Sequence, residues 1–151
     1  MSPLRLSLIF FGVLASFGSQ ASAQTDSAHA TVDPKTGTYY RTRGGVECEL
    51  DVEILSAQSV RFRLTCLHES PPLALGSAAG VASLTGSNAV FTASSDSGTC
   101  TLRFTFEGKR VVLTQTGPRA PCRIDPSINS SGTYRHFRPG KPLWDVRVYP
   151  S

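Results

Sequence analysis

Apolar and polar residues alternate most regularly over residues 46–67, and this alternation predicts a β-hairpin. Its first arm alternates apolar with acidic residues, and its second arm alternates apolar residues mostly with arginine. A period of two with one apolar face is typical of a half-buried antiparallel strand. Shifting the register by one residue would bury charges, and shifting it by two would break the cysteine pair or a charge pair. The predicted cross-strand pairs are Ile54–Val60, Val52–Phe62, Leu50–Leu64, Cys48–Cys66, Glu53–Arg61 and Asp51–Arg63.

A second hairpin is predicted on either side of Gly108 and Lys109, where glycine at the first position of a two-residue turn suits type II′. Bulky apolar residues of both arms then face the same side. The predicted pairs are Glu107–Arg110, Phe106–Val111, Phe104–Leu113 and Leu102–Gln115.

The middle of the chain has a weaker pattern. Pro71 and Pro72 exclude helix and central strand where they stand. Residues 68–80 are predicted to form the longest irregular and most mobile connection. A short helix over residues 73–81 is the alternative, which Gly76 and Gly80 weaken. Short strands are expected at 81–85 and 89–93, around a turn at 86–88.

The segment Gly132-Thr133-Tyr134-Arg135 repeats the pattern of Gly37-Thr38-Tyr39-Tyr40-Arg41 near the start of the domain, and with only four residues alike the alternative is coincidence. This repetition suits first and last strands that lie side by side, which would remove two free sheet edges. Residues 138–142 should end the sheet, and residues 143–149 either add an edge strand or pack Trp144 on the surface. The fold class is therefore all-β: one small antiparallel barrel or sandwich over residues 36–137, with a tail at 138–151.

The first 23 residues have the layout of a secretory signal peptide. One early cation, Arg5, precedes an apolar run that ends in the small residues Ala21-Ser22-Ala23, so cleavage would leave Gln24 first. An uncleaved anchor is disfavoured because the run is shorter than the roughly 20 residues of a membrane span. Residues 24–35 are polar and non-periodic and are expected to be flexible. These features predict a periplasmic or secreted protein.

Export determines how the four cysteines are interpreted. An even number of cysteines in an oxidising compartment favours disulfides over metal ligation or catalysis. Among the three possible connectivities, Cys48–Cys66 with Cys100–Cys122 is preferred because both pairs close local hairpins.

Charge and motifs argue against several classes of function. Loss of Arg5 leaves 14 Lys and Arg against 11 Asp and Glu, a formal charge of +3 without a run of cations, which is too weak for a nucleic-acid footprint. His29, His68 and His136 form no ligand-spaced pair, so neither a metal nor a catalytic site nor a cofactor is predicted. The acidic residues 47, 49, 51 and 53 are interpreted as a solvated, partly arginine-paired strand face.

A binding function remains by elimination. The candidate surfaces are the turn around Arg41 and Arg43, the loop at Pro71 and Pro72, and the last strand at Tyr134, Arg135 and His136. Tyrosine and arginine are common interface anchors, although simple packing at a strand edge would also explain them.

Residues 100–136, CTLRFTFEGKRVVLTQTGPRAPCRIDPSINSSGTYRH, resemble the C-terminal half of small exported bacterial proteins grouped with lysozyme inhibitors. In those proteins a hairpin led by cysteine is followed by a second cysteine and a closing G-x-Y strand. The resemblance implies a non-enzymatic binding protein that inhibits a lysozyme or another cell-wall hydrolase, with an exported or cell-wall-associated protein as partner. Such inhibitors act on basic lysozymes and are often acidic, whereas this chain is positively charged, so inhibition would have to use a local loop or the acidic face of the first hairpin. The alternatives are a carrier with a small ligand inside the barrel and a structural envelope protein.

Overall fold

A computed structural model describes residues 34–69 and 71–144. Eight antiparallel strands form a closed barrel in which each strand pairs with its neighbours in sequence and the last pairs with the first. The all-β prediction is confirmed, and the architecture is the barrel. The strands are β1 (Gly37–Arg43), β2 (Val46–Ser56), β3 (Ser59–His68), β4 (Ala74–Thr85), β5 (Asn88–Ser95), β6 (Gly98–Glu107), β7 (Arg110–Thr116) and β8 (Gly132–Pro139).

Both predicted hairpins have the expected register. On β2 and β3, Ile54 lies opposite Val60 and Cys48 lies opposite Cys66, and all six predicted pairs are present. On β6 and β7, Phe104 lies opposite Leu113, as predicted. The disulfides are Cys48–Cys66 and Cys100–Cys122, which confirms the preferred connectivity.

Strand β4 corrects the prediction for the middle of the chain. The strand predicted at 81–85 is present, but residues 74–80 form neither a helix nor an irregular connection. They extend this strand, which pairs with β3 from His68↔Ala74 to Ser59↔Ser83. Its inward positions are small because other residues pack there. A Cβ atom on Gly80 would lie 2.5 Å from Cε2 of Phe91, and one on Gly76 would lie 3.3 Å from Ile124 and Ile128 side-chain atoms. The glycines that weaken a helix therefore make room for large neighbours.

Strands β1 and β8 close the barrel, as the repeated pattern predicts. β8 continues to Pro139, two residues beyond the predicted end of the domain, because Gly37 pairs with Pro139 and Thr38 with Arg138. A register shift separates these pairs from Tyr39↔His136 and Tyr40↔Arg135. Phe137 is thus the extra residue of a β-bulge.

The interior of the barrel is filled with apolar side chains. Phe62 packs at its centre, with ring centroids 5.0 Å from Phe91 and 4.9 Å from Phe104. Other fully buried side chains around it come from several strands and from the loop before β8: Tyr39, Leu50, Leu64, Leu102, Leu113, Ile128 and Tyr134. Such a cluster is a packed core.

After β8 the chain crosses the outer face of β2 and β3 as a strap, residues 140–144. The Nζ atom of Lys141 lies 2.8 Å from Oε1 of Glu53. The Arg63 guanidinium donates to the carbonyl oxygens of Leu143, at 3.2 Å, and Trp144, at 3.4 Å. The tail therefore begins by packing on the barrel. The predicted signal peptide, most of the predicted flexible segment, and residues 145–149 of the proposed edge strand lie outside the described residues.

Candidate functional site

A groove opens on the outside of the barrel where β1 and β8 part. Their ladder includes Tyr40↔Arg135 but does not pair residues 41–43 with 132–134. The groove has a volume of about 440 Å³. Its lining combines cationic, hydroxyl and aromatic side chains: Tyr40, Arg41, Thr42, Thr133, Arg135, His136 and Phe137. None of these lining residues is acidic and two are arginines, so the lining itself is positively charged, with Glu47 and Glu49 of β2 opposite Thr42 and Tyr40 at its edge.

Arg41 is predicted to lie on an exposed turn, and the structure corrects this. The residue is only 8% exposed, and its guanidinium donates to the carbonyl oxygens of Asn129, at 2.9 and 3.0 Å, and Ser131, at 2.9 Å. The guanidinium carbon also lies 5.7 Å from the centroid of the Tyr134 ring. Arg41 therefore ties β1 to the loop before β8 and forms the floor of the groove.

Tyr134 is the second correction to the predicted surface. It is fully buried, and its hydroxyl donates to the carbonyl oxygen of Ser130 at 2.7 Å. Burial raises the pKa of this phenol well above its ordinary range, although the nearby Arg41 acts in the opposite direction. Tyr134 is thus a core residue beneath the groove.

The other three predicted surface residues are accessible to different degrees. Arg135 is exposed at the rim of the groove, and His136 is partly exposed, with its ring 5.1 Å from that of Tyr39 in an edge-on arrangement. Arg43 is exposed but lies beside the turn, opposite Val46, and does not line the groove. The structure therefore brings Arg41, Arg135 and His136 together.

Two aromatic residues of the groove were not predicted from the sequence. The ring centroids of Tyr40 and Phe137 lie 6.2 Å apart, and the two residues are 38% and 64% exposed. The Arg138 guanidinium lies 5.3 Å from the Phe137 centroid. The adjacent tyrosines 39 and 40 do carry a signal, because consecutive strand residues face opposite sides and one of them must point outward.

The acidic face of β2 is less available than predicted. Asp51 and Glu53 are buried: Asp51 pairs with Arg63, and Glu53 pairs with Lys141. Glu49 lies 3.9 Å from Arg138, although no cation was expected opposite it. Lys141 and, less strongly, Arg61 lower the pKa of Glu53. This face therefore holds the strap.

Among residues 34–69 and 71–144, no three His, Cys, Asp or Glu side chains are grouped as a metal site would require. Likewise, this part of the chain has no helix with the length and apolar character needed to cross a membrane. The absence of catalysis, metal and cofactor stays a prediction.

Comparisons with protein-family models, with curated proteins and with solved structures found no match to this chain. The resemblance of residues 100–136 to lysozyme inhibitors therefore also stays a prediction.

Proposed function

We propose that this chain is an exported, non-enzymatic binding protein that holds another exported or cell-wall-associated protein at the groove between β1 and β8. The observation that carries the proposal is the exposed pair Tyr40 and Phe137, with Arg135 and Arg138 beside it. Aromatic and arginine side chains supply most of the binding energy in many protein interfaces.

The exposure of Phe137 supports an interface rather than strand-edge packing. Phe137 is 64% exposed although it is a large apolar residue. Tyr40 extends the apolar surface, and the arginines surround it with charge. An apolar patch with a polar rim is the usual anatomy of an interface between proteins.

The filled interior favours this function over the carriage of a small ligand. A carrier barrel needs an internal cavity, whereas Phe62, Phe91 and Phe104 pack against one another in the middle of this barrel. The outer surface is therefore the better candidate for recognition.

The resemblance makes cell-wall hydrolases the first partners to test. The positive groove should select an acidic patch on such an enzyme, since complementary charge directs association. The assay measures cell-wall lysis by several types of lysozyme in the presence of the purified, disulfide-bonded protein.

A matched pair of variants connects this assay to the groove. Phe137→Ser removes the exposed ring, and Val81→Ser removes an exposed apolar side chain from β4. The wild type and V81S should inhibit at least one lysozyme equally, and F137S should inhibit it at least about tenfold less well. If no lysozyme is inhibited, the inhibitor function is excluded. If F137S inhibits as well as the wild type, the groove is excluded as the binding site.

A further inference from the structure

No carboxylate of the described residues forms an ion pair with either of the two arginines that line the groove, although Glu47 and Glu49 of β2 lie opposite its residues Thr42 and Tyr40. The four ion pairs in this part of the chain use Arg61, Arg63, Arg138 and Lys141 as cations. Arg41 on the floor and Arg135 on the rim take part in none of them. These two arginines are therefore available to pair with a negative charge from another molecule.

A second arginine increases the charge at the rim. Arg110 of β7 lies directly opposite Arg135 of β8. The neighbouring His136 donates its backbone N–H to the carbonyl oxygen of Lys109 at 2.8 Å. Arg110 and Arg135 therefore form the alternate, non-hydrogen-bonded pair, in which cross-strand side chains come closest. Like charges in this arrangement destabilise a sheet.

The acidic residue nearest to this pair in the register is Glu107 on β6. It lies opposite Arg110, but it does not belong to any of the four ion pairs. On the other side of Arg135 the next residue in the row is Tyr40. The unfavourable arginine pair thus persists beside an aromatic ring, an arrangement that an incoming anion would stabilise.

The buried charge of Arg41, at the floor of the groove, independently supports the binding of an anion. A buried charge normally has a charged partner, yet the hydrogen bonds of this guanidinium go to backbone carbonyls, and its Nε atom is buried without a partner. Thr42 and Thr133 contribute exposed hydroxyl donors at the same place.

We propose that the groove is a carboxylate site that receives an acidic side chain from a segment of the protein partner. The planar guanidinium of Arg135 can hold both oxygens of a carboxylate, and the threonine hydroxyls can donate beside it. Tyr40 and Phe137 would contact an apolar residue next to the acid. This inference specifies which chemical group the proposed binding function recognises, and it rests on that function for the protein partner.

The experiment follows the arginine Nε–Hε signals of the disulfide-bonded protein by NMR at low ionic strength, where screening is weak. The probes are hexaglutamate, hexaglutamine as the uncharged control, and polygalacturonate as an acidic glycan. The variants are Arg135→Gln and, as a matched exposed arginine on β6, Arg103→Gln.

Hexaglutamate should shift the Arg135 signal to saturation, and hexaglutamine should not. R135Q should weaken hexaglutamate binding, followed at the remaining arginine signals, at least about tenfold, and R103Q should leave it unchanged. Absence of saturation, or equal effects of the two variants, would overturn the carboxylate site. Binding of polygalacturonate alone would overturn the assignment to a protein segment.

The two proposals fail separately. If this protein inhibits a lysozyme but does not bind hexaglutamate, the proposed function stands and the carboxylate site is excluded. If it binds hexaglutamate through Arg135 but inhibits no lysozyme, the carboxylate site stands and lysozymes are excluded as the partner.

Discussion

Tyr39 and Tyr134 make the same hydrogen bond on adjacent strands of the closed barrel. The hydroxyl of Tyr39 donates to the carbonyl oxygen of Lys35, and that of Tyr134 donates to the carbonyl oxygen of Ser130, each four residues upstream. Both rings are fully buried. The repeated Gly-Thr-Tyr pattern thus has a structural role: it anchors the entry of the chain into β1 and into β8, the strands that border the groove.

The two hydroxyls should contribute unequally to stability. Tyr134→Phe leaves a carbonyl oxygen in a buried environment without its donor and should lower the free energy of unfolding by about 1–3 kcal/mol. Tyr39→Phe should have a smaller effect, about 0.5–1.5 kcal/mol, because its hydrogen bond is only partly buried. Urea denaturation measures both, with Tyr40→Phe as the exposed control. A loss for Y39F larger than that for Y134F would refute this account of the repeat.

Alkaline pH should destabilise the barrel through the same tyrosines. Burial raises the pKa of Tyr39 from 10.0 to about 12, so the folded state holds its proton more tightly than the unfolded state does. This contribution is fully present below pH 10 and is lost as pH rises towards 12. Between pH 9 and 11.5 the wild type should lose about 2 kcal/mol more stability than Y39F. Urea titrations at both pH values measure this difference. Equal losses of stability in the wild type and Y39F would show that the Tyr39 hydroxyl is not the group responsible.

Acid should release the strap from the barrel. Lys141 holds the pKa of Glu53 below its ordinary value of 4.5. The ion pair therefore stabilises the strap above that value and is lost as pH falls through the lowered pKa. The ring of Trp144, the single tryptophan, lies 5.4 Å from the Arg61 guanidinium carbon and 5.6 Å from that of Arg63, so its fluorescence should report the release.

Glu53→Gln should give the released fluorescence at neutral pH and should abolish the acid transition. Glu47→Gln, at an exposed position on the same strand, should behave as the wild type. An acid transition that persists unchanged in E53Q would show that another group controls the strap.

Gly80→Ala should destabilise the protein. Replacing glycine usually stabilises by about 0.4–1 kcal/mol through the unfolded state, but here the new methyl would lie 2.5 Å from the Phe91 ring. Overpacking of this kind typically costs about 1–3 kcal/mol, so the net change should be a loss. Ser83→Thr adds a methyl group on the outer face of β4 as a control. In the G80A background, Phe91→Leu should be less destabilising than it is alone; additive effects would contradict the contact.

The parts of the fold that can be predicted from the sequence are the strands in which apolar and charged residues alternate. The β2–β3 register is readable because a shift would separate Asp51 from Arg63 and Cys48 from Cys66. β4 is not readable in this way, because its small residues show little contrast between faces and their partners, such as Phe91, are distant in sequence.

The groove could be predicted only in part, for two physical reasons. Arg41 is buried by carbonyl oxygens 88 and 90 residues away, a contact that no local pattern contains. Phe137 projects outward at a bulge in β8, and strict alternation does not reveal a bulge.

A protein partner is proposed to bind at the groove between β1 and β8. The most direct test maps amide chemical-shift changes of the labelled protein as the most strongly inhibited lysozyme is added. We expect the largest changes at Tyr40, Thr133, Arg135 and Phe137, with β5 unaffected. Changes centred on β4 and β5, or no changes with any lysozyme tested, would contradict the claim.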